Sequence, residues 1–267
     1  MASQLRSYGL FDGPRGSLFF EREGNPEGQS ILFIHGLGGT SNAYQPLVPH
    51  LTEFDLVRFD WSGHGQSSTP QTTNIDTYVD DCEAVIKHLE LQSVVVVGHS
   101  LGGLIALLLA AKLPQLVKAL VLFGPVRPPP EAGQKAMAIR VEAVRQSGMV
   151  AVADTVISNA FASQSLKKRN AEVSLAREML TRQDPEGYAM AVESLKNSYA
   201  PDWKRIKTPT VVVSGDEDKV SSVAVGKMVV SDLGDLAEQV ILSGVSHWHI
   251  LEAPLKCVEI ITKYSSQ

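Results

Sequence analysis

The stretch VVVVGHSLGGLIALLLAA, residues 94–111, decides how the chain is read. Four successive valines make a strand buried on both faces, because β-branched side chains suit the pleat and nothing polar alternates with them. The Leu- and Ala-rich run that follows reads as a buried helix. Between the two, Gly98, Gly102 and Gly103 surround Ser100, where the chain must turn sharply and glycine tolerates the crowding. The match to G-x-S-x-G is literal, and in a strand–turn–helix context it pushes the serine hydroxyl out of the sheet. A glycine-rich turn that only packs a helix closely on a strand shares this pattern, so other segments must separate the two readings.

Outward from this centre, strand-like runs recur at 17–23, 31–36, 55–60, 119–124, 210–215 and 239–244, most of them short and ending in Gly. Helical segments at 74–90, 101–113 and 222–234 lie between several of them. This alternation predicts an α/β fold with a mostly parallel sheet flanked by helices. The rhythm breaks over residues 127–203, where Ala, Glu, Arg, Lys, Leu and Met recur at helical spacing between two proline-punctuated stretches, PVRPPP and YAPDWKRIKTP. The expected organisation is a core of 1–126 and 204–267 with a helical cap of 127–203.

With 267 residues, 44% hydrophobic and 20% charged, the chain is globular by composition. Its net charge of −5 comes from interspersed acids and bases, so no basic field marks it for nucleic acid or an anionic membrane. The opening MASQLRSYGLFDGPRG lacks the apolar core of a signal peptide, and no stretch reaches the roughly twenty apolar residues of a membrane span. Cys82 and Cys257 are far apart, which fits neither a disulfide scaffold nor a metal site. A soluble cytoplasmic protein, monomer or homodimer, is expected.

A serine hydroxyl is a weak nucleophile at neutral pH, so Ser100 needs a base, and that base needs an acid to orient it. The G-x-S-x-G turn resembles that of α/β-hydrolases, whose order Ser, acid, His implies a histidine downstream and leaves His247 and His249 in GVSHWHILEAP. The acid belongs in the loop after a late strand, where VVVSGDEDKV offers Asp216, Glu217 and Asp218.

Four motifs now carry a resemblance over nearly the whole chain: HGLGG at 35–39, FDWSGHGQS at 59–67, GHSLGG at 98–103 and SHWHILEAP at 246–254. In this order they resemble the α/β-hydrolase fold superfamily, namely its oxyanion loop, D-x-x-G-x-G-x-S loop, nucleophile elbow and histidine loop. The resemblance implies Asp218, third after the glycine, as the acid. It also implies His247, five residues before Glu252, as the base, and leaves His249 as a pocket-wall or structural residue. It further implies an oxyanion hole made by the backbone amides of Leu37 and Leu101. Asp60, His64 and Ser67 are read as pinning their loop. No metal or organic cofactor is required.

A serine nucleophile sets the chain apart from haloalkane dehalogenases and epoxide hydrolases, which use an aspartate there. Residues 177–220, with DPEGYA before the return to the core, resemble 3-oxoadipate enol-lactonases. This implies a small-molecule lactone or ester as substrate. A general carboxylesterase, a carbon–carbon bond hydrolase and a lactone-sensing receptor with a retained triad are the alternatives. For a carboxylated substrate the cap offers Arg127, Arg140, Arg145, Arg177 and Arg182, with Arg140 and Arg145 preferred, and Trp248 is a further candidate contact.

Overall fold

The computed structural model describes residues 7–266, so the first six residues of the segment read for targeting lie outside it. The chain opens with β1 (Ser7–Gly13), β2 (Gly16–Gly24), β3 (Ser30–Ile34) and β4 (Asp55–Asp60). It continues through α1 (Ile75–His88), β5 (Val94–His99), α2 (Leu101–Lys112) and β6 (Val117–Phe123). Five helices follow without a strand: α3 (Glu131–Ser147), α4 (Val150–Ala160), α5 (Ser163–Lys168), α6 (Asn170–Thr181) and α7 (Pro185–Lys196). The core resumes with β7 (Thr210–Gly215), α8 (Val223–Leu233), β8 (Ala237–Leu242), α9 (His249–Glu252) and α10 (Pro254–Ser265).

The eight strands form one sheet in the order β1-β2-β4-β3-β5-β6-β7-β8. β1 and β2 are antiparallel to their neighbours, and every pairing from β4 to β8 is parallel. The strands read from sequence coincide with β2 to β8 to within a few residues. β1 was not foreseen. It is an edge strand whose residues alternate between half-buried and exposed, and Tyr8 and Leu10 face solvent. No continuous apolar run announces it, and it exists because the tight turn between Gly13 and Gly16 folds it back onto β2.

The valines of β5 divide between two cores, one on each face of the sheet. Val95 and Val97 join Phe33, Val121 and the cap residues Met179 and Tyr188, whereas Val94 and Val96 join Leu32, Ile34 and α1. Strand periodicity thus operates within a run that has no polar alternation. Helix α1 shows the complementary pattern: Ile75, Tyr78, Val79, Cys82, Val85 and Ile86 form its buried stripe. Its N-terminus is closed by a capping box, in which the Asn74 side chain accepts from the Thr77 N–H and the Thr77 hydroxyl accepts from the Asn74 N–H. Helix α2 is buried at every position from Leu101 to Ala111, as its lack of polar residues requires. Among the described residues, no helix is long and apolar enough to cross a membrane.

Candidate active site

Ser100 sits where β5 hands over to α2, with φ 56° and ψ −117°, a backbone conformation that L-residues rarely adopt. The neighbouring glycines explain how the turn closes. A Cβ on Gly98 would stand 2.5 Å from the Gly102 carbonyl oxygen, and one on Gly102 would stand 2.1 Å from that of Ile34. Any side chain there would force the strand and the helix apart and take Ser100 with them.

The parallel sheet directs the loops that follow β3, β5, β7 and β8 to the same edge, where α/β folds place their ligands. There the Ser100 hydroxyl is 2.8 Å from His247 Nε2, and His247 Nδ1 is 2.9 Å from Asp218 Oδ2. All three residues are buried. The other Asp218 oxygen accepts the Val220 and Ser221 N–H groups, both at 2.8 Å. Burial alone would push the Asp218 carboxyl up; the His247 charge, its hydrogen bond and the Ser221 N–H outweigh that and hold it below the usual carboxylate range. Asp216 instead turns to Ser243 and the Gly244 N–H at the surface. His249 faces away from the cavity, fully buried behind His247.

Gly36 lies against the elbow, so that a Cβ there would be 3.0 Å from Ser100 Cβ; Leu37 follows at the mouth of the Ser100 turn. Its loop is held from both sides. His64 Nε2 accepts the Gly38 N–H at 3.2 Å, while Asp60 accepts from the Ser41 and Gln66 N–H groups. Ser67 accepts the Phe19 N–H and donates to the Asp60 carbonyl. From the cap side, the buried Gln183 amide donates to the carbonyls of Gly38, Gly39 and Met179 and accepts the Gly65 N–H. Sequence reasoning missed Gln183, whose only local signal is its place just before DPEGYA.

A second latch joins the cap to the histidine loop. The His247 and Trp248 N–H groups donate to the Ala160 carbonyl at the end of α4, at 3.0 and 3.3 Å. The buried Glu252 carboxylate accepts from Ala162 and Ser246 N–H. Glu252 entered the sequence argument only as a counting mark; its side chain is a tie between two segments.

Above Ser100 the cap encloses a cavity of about 760 Å³, within the range of small-molecule sites. Leu37, Met137, Leu195, Val225 and Met228 give it apolar walls, and Trp248 lines it beside His247. Arg140 also lines it, beside the Tyr188 phenol. Burial pushes that phenol up from its ordinary value, opposed by the nearby Arg140 guanidinium. A larger open groove of about 1090 Å³ runs between β1 and α1 and shares no residue with this cavity.

The cap arginines separate sharply. Arg127 lines the cavity as Arg140 does, but its guanidinium pairs with Asp232 and lies over the Trp203 ring. Arg177 and Arg182 are exposed and pair with Asp154 and Glu178. The expectation for Arg145 is corrected: its guanidinium binds Glu186 and Glu193 on the exposed side of α7 at 2.7–3.1 Å and does not line the cavity. Five residues along a helix correspond to a rotation of about 140°, so Arg140 and Arg145 cannot face the same site. Arg145→Ala is expected to cost at most about 1 kcal/mol, as for other half-exposed ion pairs, and to leave kcat/KM within about twofold. Thermal melts and steady-state kinetics check this, and a tenfold fall in kcat/KM would return Arg145 to the substrate site.

Residues 29–254, which include this edge of the sheet, match the family model described as alpha/beta hydrolase fold. The chain belongs to that family. Among curated relatives of this alpha/beta hydrolase, 3-oxoadipate enol-lactonase 2 of Acinetobacter baylyi is 27% identical over 77% of the chain and 78% of the relative. A putative esterase/lipase of Haemophilus influenzae is 26% identical over 88% and 82%. Among solved structures, the enol-lactonase from Burkholderia xenovorans superposes with a TM-score of 0.91 at 23% identity, covering 97% of this chain and all of that one, a likeness of fold.

Proposed function

We propose that this protein hydrolyses a small lactone or carboxylic ester through an acyl-enzyme on Ser100. The observation that carries the reading is the continuous hydrogen-bond chain Ser100–His247–Asp218 at the floor of a cavity of substrate size. His247 Nε2 takes the hydroxyl proton as Ser100 Oγ attacks the acyl carbon, and Asp218 steadies the imidazolium. The Leu37 and Leu101 amides hold the tetrahedral oxyanion. Collapse breaks the acyl–oxygen bond, and the proton on His247 passes to the departing alkoxide, which in a lactone stays attached as the far end of the opened ring. Water, deprotonated by the same imidazole, then releases the acid and regenerates Ser100.

A carboxylate on the substrate is supported by Arg140. Of the two cap arginines that line the cavity, Arg127 is paired with Asp232, whereas Arg140 stands beside the neutral Tyr188 phenol. A desolvated carboxylate needs such a donor, and guanidinium offers it two parallel N–H groups. The resemblance to enol-lactonases points the same way. The apolar walls favour a second reading, a general carboxylesterase acting on neutral esters.

The test has two arms. A fluorophosphonate should label the protein once, at Ser100, by mass spectrometry, and a lactone and ester panel should show steady turnover at ordinary enzyme rates, about 1 per second or faster. A product burst with no steady state would identify a lactone-sensing receptor instead. In the second arm, a carboxylated lactone is expected to exceed its methyl ester at least about tenfold in kcat/KM, corresponding to one charge-assisted hydrogen bond. Arg140→Met should erase that preference. Equal or faster turnover of the neutral compound would leave the carboxylesterase reading.

A further inference from the structure

Of the buried histidines that the acyl-transfer steps do not use, two converge on one atom. His99 Nε2 lies 2.7 Å from the His247 carbonyl oxygen, and His249 Nδ1 lies 2.8 Å from the same oxygen. A carbonyl oxygen can only accept, so each of these nitrogens carries a proton. The rings are 2% and 0% exposed, and burial pushes both below the usual imidazole value, His249 to about 4. Each ring is therefore neutral and has one proton to place. His99 must be the Nε2–H tautomer and His249 the Nδ1–H tautomer. The remaining nitrogens, His99 Nδ1 and His249 Nε2, are buried with no hydrogen-bond partner.

That last fact separates positioning from packing. A buried acceptor without a donor is unfavourable, and an apolar side chain of similar volume would fill either space without it. The unsatisfied lone pairs are tolerated at two sites that donate to the same carbonyl and flank the His247 ring. Gly36 packs closely on the His99 ring, so that a Cβ there would meet its Nδ1 at 2.9 Å. On the other side of the residue, the His247 N–H is tied to Ala160 of the cap.

We propose that His99 and His249 are positioning residues that clamp the His247 peptide and thereby set the reach of its imidazole to Ser100. The inference rests on Ser100 and His247 acting as nucleophile and base. His99 precedes Ser100 in the chain, so its ring links the nucleophile turn to the histidine loop across a single hydrogen bond. Two donors from two segments, β5 and α9, prevent the carbonyl from rotating about either one. The clamp matters because a displacement of about 1 Å between reacting groups can cost on the order of a hundredfold in rate.

The experiment places the N–H where the clamp needs it or moves it. His99→Gln carries an amide nitrogen near the Nε2 position, and His249→Asn carries one near the Nδ1 position. The swapped pair, His99→Asn and His249→Gln, has the same chemistry at the wrong reach, while His99→Leu and His249→Leu fill the space with no donor. Rates are taken as kcat per fluorophosphonate-titrated site, which discounts unfolded protein. The Leu and swapped variants are expected to lose about 10- to 100-fold in kcat with KM within about twofold, and the matched amides to regain most of it. Unchanged kcat per titrated site in the Leu variants overturns the clamp, as do matched amides no better than swapped ones. If leucine prevents folding at either site, the matched-against-swapped comparison decides alone. Wild-type protein that fluorophosphonate does not label at Ser100 would refute the nucleophile itself, a failure distinct from that of the clamp.

Discussion

Replacing Ser100 with alanine is expected to lower kcat by up to about a million-fold, because nucleophile, base and acid act as a unit and losing one forfeits nearly the whole contribution. The fold should survive. Ser100 has one side-chain hydrogen bond, to His247, and the elbow itself is held by the close approaches at Gly98 and Gly102. Its φ of 56° adds a second, independent readout. A side chain in that conformation stores strain on the order of 1–3 kcal/mol, which glycine escapes. Ser100→Gly should therefore be as inactive as Ser100→Ala but melt at a higher temperature. Burst and steady-state kinetics with thermal melts check both halves. A folded Ser100→Ala protein retaining a tenth of its activity would remove Ser100 from the nucleophile role.

His247→Ala should be as damaging as the serine change, since among the described residues no other side chain is hydrogen-bonded to both the hydroxyl and Asp218. Asp218→Asn should lose about 10⁴-fold in kcat, through the wrong imidazole tautomer. The pH profile separates these two groups. Asp218 is held below the usual carboxylate range, so its stabilising contribution is present above the unfolded carboxylate pKa and is lost only as pH falls through the depressed folded value. On acidification from neutral, Asp218 stays ionised, and a base that takes the Ser100 proton works only while its lone pair is free. The rate should fall on that limb, with a slope of one proton. A flat profile from neutral into acid would count against any histidine base, and loss of activity in His249→Ala matching that of His247→Ala would reopen the assignment between them.

What could be read ahead of the structure was local. The valine run of β5, the glycines around Ser100 and the apolar stripe of α1 each express a backbone constraint within a dozen residues, and motif order then limited the base to His247 or His249. The same logic could not find β1, whose stability comes from pairing with β2 rather than from its own side chains. It also treated Arg140 and Arg145 alike, because spacing along the chain says nothing of which helix face meets the cavity until α3 has packed on α7. Gln183 and Glu252 were invisible as latches for a related reason. Gln183 closes on Gly38, 145 positions away, and Glu252 on Ala162, 90 away, so their side chains acquire partners only when cap and core meet.

By itself, then, the sequence determined the α/β architecture, the strained serine turn and the family, since these follow from short-range sterics, periodicity and ordered motifs. The tertiary structure alone shows why, of three neighbouring acids, Asp218 turns inward, which cap arginines face the cavity, and what holds the His247 carbonyl. Asp216 and Asp218 are two residues apart and chemically identical. One ends on Gly244 at the surface and the other on His247, because the loops after β7 and β8 meet in space and not in sequence.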